Sequence, residues 1–310
     1  MNYRRLGKTG IKISEISLGA WLTYGKTIDE KGARRIIFHA IEQGINFIDI
    51  SDIYAKGKAE EVIGQCIVDL NRSDLVISSK AFWPMSDNVN DRGLSRKHLF
   101  ESIHKTLKRL RTDYLDIYFC HRFDPETEIE EVVRAMDDLV HQGKILYWGT
   151  SVWEVDQIDD ALQQSRALMA YGPVVEQPRY NMLDRHIEDA IMPLCSNNGM
   201  GIVVWSPLAQ GLLTGKYLDG VPTSSRGSQP MYMEDELSGA NMTIVRKLSS
   251  VASRIGIPLN QLALAWILCR PEISCAITGA TSVEQVTANV QASQVSLSDD
   301  VLAEIEKILE

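Results

Sequence analysis

Eight short apolar runs, separated by longer amphipathic segments, constrain this chain more than any other feature of its sequence. The runs are Ile16–Gly19, Asn46–Ile50, Leu75–Ser79, Leu115–Phe119, Tyr147–Ser151, Val174–Gln177, Ile202–Ser206 and Cys275–Thr278. Several are apolar throughout rather than alternating, as strands covered on both faces must be. The segments between them carry helix signals. Asp29–Gln43 stops at Gly44, and Glu128–Gln142 stops at Gly143. Ser95 caps a helix running to Arg111 with Leu99, Ile103, Leu107 and Leu110 on one face, and Val283–Ala292 follows Ser282.

Strand and helix in repeated alternation build a parallel sheet. Two parallel architectures compete at 310 residues. A doubly wound nucleotide-binding fold should open with G-x-G-x-x-G after its first strand, and no such motif is present. Eight strands without a compositional break between halves predict one domain over 1–310, a closed α/β (β/α)8 TIM barrel. Residues Asn2–Ser14, with Lys8-Thr9-Gly10 as the turn, predict an added N-terminal hairpin at the barrel floor. The Gly- and Pro-rich stretch from Pro207 to Ser238 is long for a connection and predicts a functional loop such as a lid.

Composition narrows the partners. A formal net charge of -9 and the lack of a Lys/Arg run argue against nucleic acid. No run of eighteen apolar residues exists, so no membrane insertion is expected. Five cysteines without a Cys-x-x-Cys pair fit reduced thiols and a cytoplasmic setting. No histidine pair has metal-ligand spacing, and no metal is expected. Self-association into a homo-oligomer is left open.

In a barrel of this type the chemistry lies at the carboxyl ends of the strands. Asp49 lies near the end of the second run, Lys80 ends the third and His121 ends the fourth, with Tyr54 in the loop after Asp49. Taken singly, each has an ordinary structural explanation. Together they place an acid, an ammonium, an imidazole and a phenol at one rim, where half-buried charges need one another. Reduction of a carbonyl by hydride transfer puts negative charge on its oxygen and calls for a proton donor. A phenol with a pKa of ~10 serves at neutral pH when a cation stabilises its anion. Lys80 can supply that charge, Asp49 can orient it, and His121 can hold the substrate oxygen.

The sequence resembles the aldo-keto reductases, and among them the bacterial relatives of voltage-gated potassium channel beta subunits. The likeness runs from Tyr3-Arg4-Arg5-Leu6-Gly7 and Leu18-Gly19-Ala20-Trp21 to beyond Gly279-Ala280-Thr281. Its most specific parts are Asn46-Phe47-Ile48-Asp49, Asp113-Tyr114-Leu115-Asp116, Gly149-Thr150-Ser151, Glu176-Gln177 and Trp205-Ser206-Pro207-Leu208. The resemblance implies Tyr54 as general acid, Lys80 and Asp49 as its tuning pair and His121 as the carbonyl-orienting group. Channel subunits carry Asn at that last position, so His121 favours a working reductase over a regulatory subunit that turns over slowly.

The same likeness implies NADPH, in preference to NADH, as cofactor and a small aldehyde or ketone as substrate. Ser151 and Gln177 would bond the nicotinamide carboxamide, with Trp205 against its ring and Trp21 nearby. Ser206, Leu208 and Lys216 would hold the pyrophosphate, with Pro207, Ala209 and Gly211 also in contact with the cofactor. Arg226, Gly279, Thr281, Gln285 and Asn289 would take the adenosine end, where a helix start after the eighth strand offers free N–H groups and a positive dipole to phosphate. Trp83 and Trp153, with Trp21, are candidates for the pocket wall. Cys120 precedes His121, but neighbours on a strand point to opposite faces, which removes it as a nucleophile for the same site.

Overall fold

The computed structural model describes residues 1–21, 28–220 and 237–310. All eight predicted runs form strands: β3 (Ile16–Gly19), β4 (Phe47–Asp49), β5 (Val76–Ala81), β6 (Leu115–Cys120), β7 (Ile145–Thr150), β8 (Val175–Glu176), β9 (Gly201–Val204) and β10 (Ile273–Thr278). They pair in parallel and close on themselves in the order β10-β3-β4-β5-β6-β7-β8-β9. Closure leaves no sheet edge to protect.

Residue parity along each strand decides what faces inward. Phe47, Val76, Ile117, Phe119, Val175, Val203, Cys275 and Ile277 fill the barrel interior as one buried cluster. The alternate residues, among them Ile48, Ile77, Tyr118, Cys120, Trp148, Ile202, Val204 and Ala276, belong to the second cluster, beneath the helices. Continuing the inward parity by one step from Phe47 gives Asp49, from Phe119 gives His121, and two steps from Val76 give Lys80. The register pairs Asp49 with Ser78 and Lys80 with Phe119, so these polar groups reach one level at the carboxyl end.

The helices begin and end as their sequences dictate. Asp29 caps α1 (Glu30–Glu42) by accepting from Gly32 N–H at 2.8 Å. Ser95 caps α3 (Arg96–Leu110), which stops where Arg111 turns left-handed at φ 55°. Between them, α2 (Lys58–Ile67) lies so close to α3 that a Cβ on Gly64 would fall 2.1 Å from the carbonyl oxygen of Arg109. Gly64→Ala should therefore lower stability by about 1–3 kcal/mol, the usual cost of overpacking. Urea unfolding checks this, and an unchanged midpoint would mean that the two helices part freely.

The predicted hairpin forms β1 (Tyr3–Arg5) and β2 (Lys12–Ser14), paired antiparallel. Leu6 and Ile13 join the interior cluster and seal the floor of the barrel. The turn is fastened by Lys8 N–H to the Gly199 carbonyl at 2.8 Å, and Gly7 sits at φ 56° with no room for a Cβ against Gly199. Arg4 pairs with Glu15 at 2.6 Å and donates to the carbonyls of Leu268, Arg270 and Ile273. The five cysteines are unpaired thiols. No single described helix is long and apolar enough to cross a membrane.

Candidate active site

Asp49 is 3 % and Lys80 0 % exposed, so both charges have left water and require partners. They find each other: Lys80 Nζ donates to Asp49 Oδ2 at 2.7 Å and to the Ile50 carbonyl at 2.6 Å. The other Asp49 oxygen accepts from Ser78 Oγ at 2.7 Å and from the Gln177 amide at 2.9 Å. Four donations to one carboxylate and a neighbouring carbonyl hold the ammonium in a fixed place.

After β4 the chain makes a short 3-10 turn, Tyr54–Gly57, with Ala55 and Lys56 in left-handed conformation. That turn brings the half-buried Tyr54 back over the strand ends. Its ring lies 5.2 Å from Lys80 Nζ and meets the His121 ring edge-on at 6.1 Å. His121 receives the edge of Trp83 at 6.3 Å on another side. Its Nδ1 contacts Ser51 Oγ at 3.1 Å, which leaves Nε2 for a ligand.

Burial, and after it the Asp49 carboxylate, holds the Tyr54 phenol well above its ordinary pKa, against a smaller pull from Arg122. The phenol is thus the neutral, proton-bearing form at neutral pH. Lys80 Nζ stands beside the phenol, 5.2 Å from its ring centroid, with two of its hydrogens given to Asp49 and the Ile50 carbonyl. Burial lowers Lys80 from its usual range while Asp49 raises it. His121 is held well below the ordinary imidazole range by burial, Lys80 and Arg122, and is therefore neutral.

The site opens into a cleft of about 1010 Å³ that runs from this group to the start of the helix Val283–Gln291. Asp49, Tyr54 and His121 line it, whereas Lys80 lies behind them. Of the residues expected around a nucleotide, Trp21, Ser151, Gln177, Trp205, Ser206, Pro207, Leu208, Gly211, Lys216, Gly279, Thr281, Gln285 and Asn289 line the same cleft. Trp21 meets Trp205 edge-on at 6.5 Å, making one aromatic wall. Ser151 Oγ donates to the Gln177 carbonyl at 2.9 Å, and the Gln177 amide is already turned to Asp49.

Not every residue named from the sequence reaches the cleft wall. Ala209 is fully buried and lies under the cleft instead of lining it. Trp153 is also buried, edge-on to Phe123 at 5.2 Å, and is not among the described residues that line the cleft. At the far end the helix start is partly self-satisfied: Gln285 Oε1 accepts from Thr281 N–H at 2.8 Å, and Ser282 caps the Gln285 N–H. A ligand phosphate there would meet fewer free N–H groups than the sequence predicts. Arg226 lies outside the described residues, as does half of the expected lid. Cys120 points into the outer core as parity requires, and burial pushes its thiol up.

Further residues line the cleft. Arg122, directly after His121, sets its guanidinium 5.7 Å from the Trp83 ring. Its place one residue beyond a strand-end histidine is a signal that could have found it. Asn260 lines the cleft from the helix Leu259–Leu268 and donates to Asn289 Oδ1 at 3.1 Å, tying that helix to the neighbouring one.

The chain compares closely with known proteins over its whole length. The sequence profile of the aldo/keto reductase family matches residues 15–310. A chain from Arabidopsis thaliana named "Probable voltage-gated potassium channel subunit beta" is 44 % identical, with 100 % of this chain and 97 % of that one covered. Its counterpart in Oryza sativa subsp. japonica is 42 % identical over the same shares. One from Schizosaccharomyces pombe is 40 % identical, covering 99 % of this chain and 93 % of its own. A family-wide match joined to relatives of this identity decides the assignment: the chain belongs to the aldo/keto reductase family.

Proposed function

We propose that this protein is an NADPH-dependent oxidoreductase that reduces small aldehydes or ketones to alcohols. One observation carries the reading: a neutral phenol, a neutral imidazole and a buried ammonium–carboxylate pair converge beside a cleft of about 1010 Å³, which has room for a dinucleotide. When bound, NADPH supplies the hydride. The residues present fit such a group. Ser151, Trp205 and Trp21 offer a polar and aromatic seat at the reacting end, Lys216 a cation midway, and Thr281, Gln285 and Asn289 polar groups at the other.

Tyr54 donates its phenolic proton to the substrate oxygen as charge develops there. The developing phenolate is stabilised by Lys80, whose ammonium is 5.2 Å from the ring and oriented by Asp49. His121 presents Nε2 to the same oxygen and fixes the carbonyl. A donor placed on a developing oxyanion is worth roughly 3–4 kcal/mol. Trp21, Trp83 and Tyr54 give the substrate an apolar, aromatic surround, which suits small carbonyl compounds better than charged ones.

The test is NADPH oxidation with a panel of small aldehydes, run beside NADH. Turnover that prefers NADPH supports the reading. A second reading is favoured by the relatives' names: a nucleotide-binding regulatory subunit with slow turnover. Tightly held, slowly exchanging NADPH with negligible turnover would favour it instead. Lys216→Ala should weaken NADPH about tenfold in titration, the loss of one charge-assisted contact. An unchanged Kd would take Lys216 out of the nucleotide site.

A further inference from the structure

A line of buried polar groups leads away from His121 into the wall of the barrel. Ser51 Oγ lies 3.1 Å from His121 Nδ1 and 3.3 Å from Asp52 Oδ1. The other Asp52 oxygen accepts from Ser102 Oγ on α3 at 3.0 Å. Ser51 and Asp52 are fully buried, and Asp52 has no direct contact with the cleft. A hydroxyl has one proton, so Ser51 can donate to the imidazole or to the carboxyl, not to both.

We propose that Asp52, acting through Ser51, is a positioning residue that sets which ring nitrogen of His121 carries the proton, and so biases the site between carbonyl reduction and alcohol oxidation. The inference rests on His121 facing the substrate oxygen. With Asp52 protonated on Oδ1, Asp52 donates to Ser51, Ser51 donates to Nδ1, and Nε2 bears the hydrogen that a carbonyl oxygen accepts. With Asp52 ionised, Ser51 donates to the carboxylate, Nδ1–H donates to Ser51, and Nε2 has a bare lone pair that accepts from an alcohol O–H.

Passing from the first state to the second, the Asp52 proton moves to Ser51 Oγ while the Ser51 proton moves to Nδ1. The Nε2 proton leaves to the cleft. One proton is released in all, and no bond between heavy atoms changes.

The surroundings place this switch near neutrality. Burial and the Glu60 carboxylate on α2 push the Asp52 carboxyl up to about 7, opposed by Ser102 and by Arg109 on α3. Arg109 is shared with Glu60, whose other oxygen accepts from Ser79 on β5 at 2.6 Å. Tyr54, Tyr118 on β6 and Lys80 on β5 also feel the Asp52 charge. Glu176, buried and likewise pushed up to about 7, faces Arg122 and not Asp52.

The full chain with 15N-labelled histidine tests this, the His121 ring resonances being assigned with His121→Asn. In the unsubstituted protein the ring should pass from Nε2–H to Nδ1–H as pH rises between about 6 and 8. Asp52→Asn, whose amide donates to Ser51 at every pH, should keep Nε2–H throughout. Ser51→Ala removes one hydroxyl and should also abolish the pH-driven change, so the test survives if Asp52→Asn does not fold. A ring whose tautomer ignores pH overturns the proposal, as does the same pH course in Asp52→Asn, which would point to Glu176. These readouts need no turnover, so they stand apart from any failure of the reductase reading. Where turnover is measurable, reduction kcat/KM should fall about tenfold per pH unit above the Asp52 transition while oxidation rises.

Discussion

Tyr54→Phe should slow NADPH-dependent aldehyde reduction by about a hundred- to ten-thousandfold, the usual contribution of a placed general acid. The change removes one hydroxyl and leaves the ring that meets His121 at 6.1 Å and the Lys80 ammonium at 5.2 Å. Packing at the rim is therefore retained, and NADPH affinity should change by less than about threefold, equivalent to roughly 0.6 kcal/mol. The loss should appear in kcat, because the phenol acts on charge that exists only in the transition state. Single-turnover kinetics beside a fluorescence titration of NADPH separate the two effects. Turnover within tenfold of the parent would remove Tyr54 from the chemistry. Loss of nucleotide binding in proportion would assign it to the nucleotide site instead.

Strand parity, a local property, made Asp49, Lys80 and His121 legible in the sequence, whereas Tyr54 lies in the turn after β4, where the family likeness and not parity singled it out. Each run is buried on both faces, so a polar residue of inward parity at its carboxyl end reaches the barrel mouth, as Asp49, Lys80 and His121 do, while Ser79, of the opposite parity, bonds Glu60 on α2. The hairpin was legible for a related reason: Lys8-Thr9-Gly10 makes a turn between Leu6 and Ile13, both of which the floor must bury. Contacts between distant segments were not legible in this way. Ser51 meets His121 across seventy residues, and Gln177 meets Asp49 across 128. Those distances are set by the barrel's closure, which no single segment encodes. Trp153 and Trp83 both follow strands, yet Phe123 covers one and the other stands at the mouth. Which aromatic residue becomes wall and which becomes core depends on the loop opposite. Ala209 sank for a similar reason, since left-handed turns at Ala209 and Gln210 fold that segment inward.

Lys80→Met should cost about 3–5 kcal/mol of folding stability, the penalty for leaving one member of a buried ion pair unpaired. Lys80 is 0 % and Asp49 3 % exposed, so water cannot replace the missing ammonium. Ser78 and Gln177 still donate to one Asp49 oxygen, which limits the damage but leaves Oδ2 without its partner. The Ile50 carbonyl loses its donor as well. Methionine fills much the same volume, so a cavity contributes little. The double variant Lys80→Met with Asp49→Leu removes both charges and should recover most of the loss, because apolar replacement of a whole buried pair is commonly neutral. Urea unfolding of the two single variants and the double closes the cycle. A loss below about 1 kcal/mol in Lys80→Met would show that Asp49 is satisfied without the ammonium. The pair would then be held for chemistry alone, and the two outcomes separate what this rim does for folding from what it does for the carbonyl.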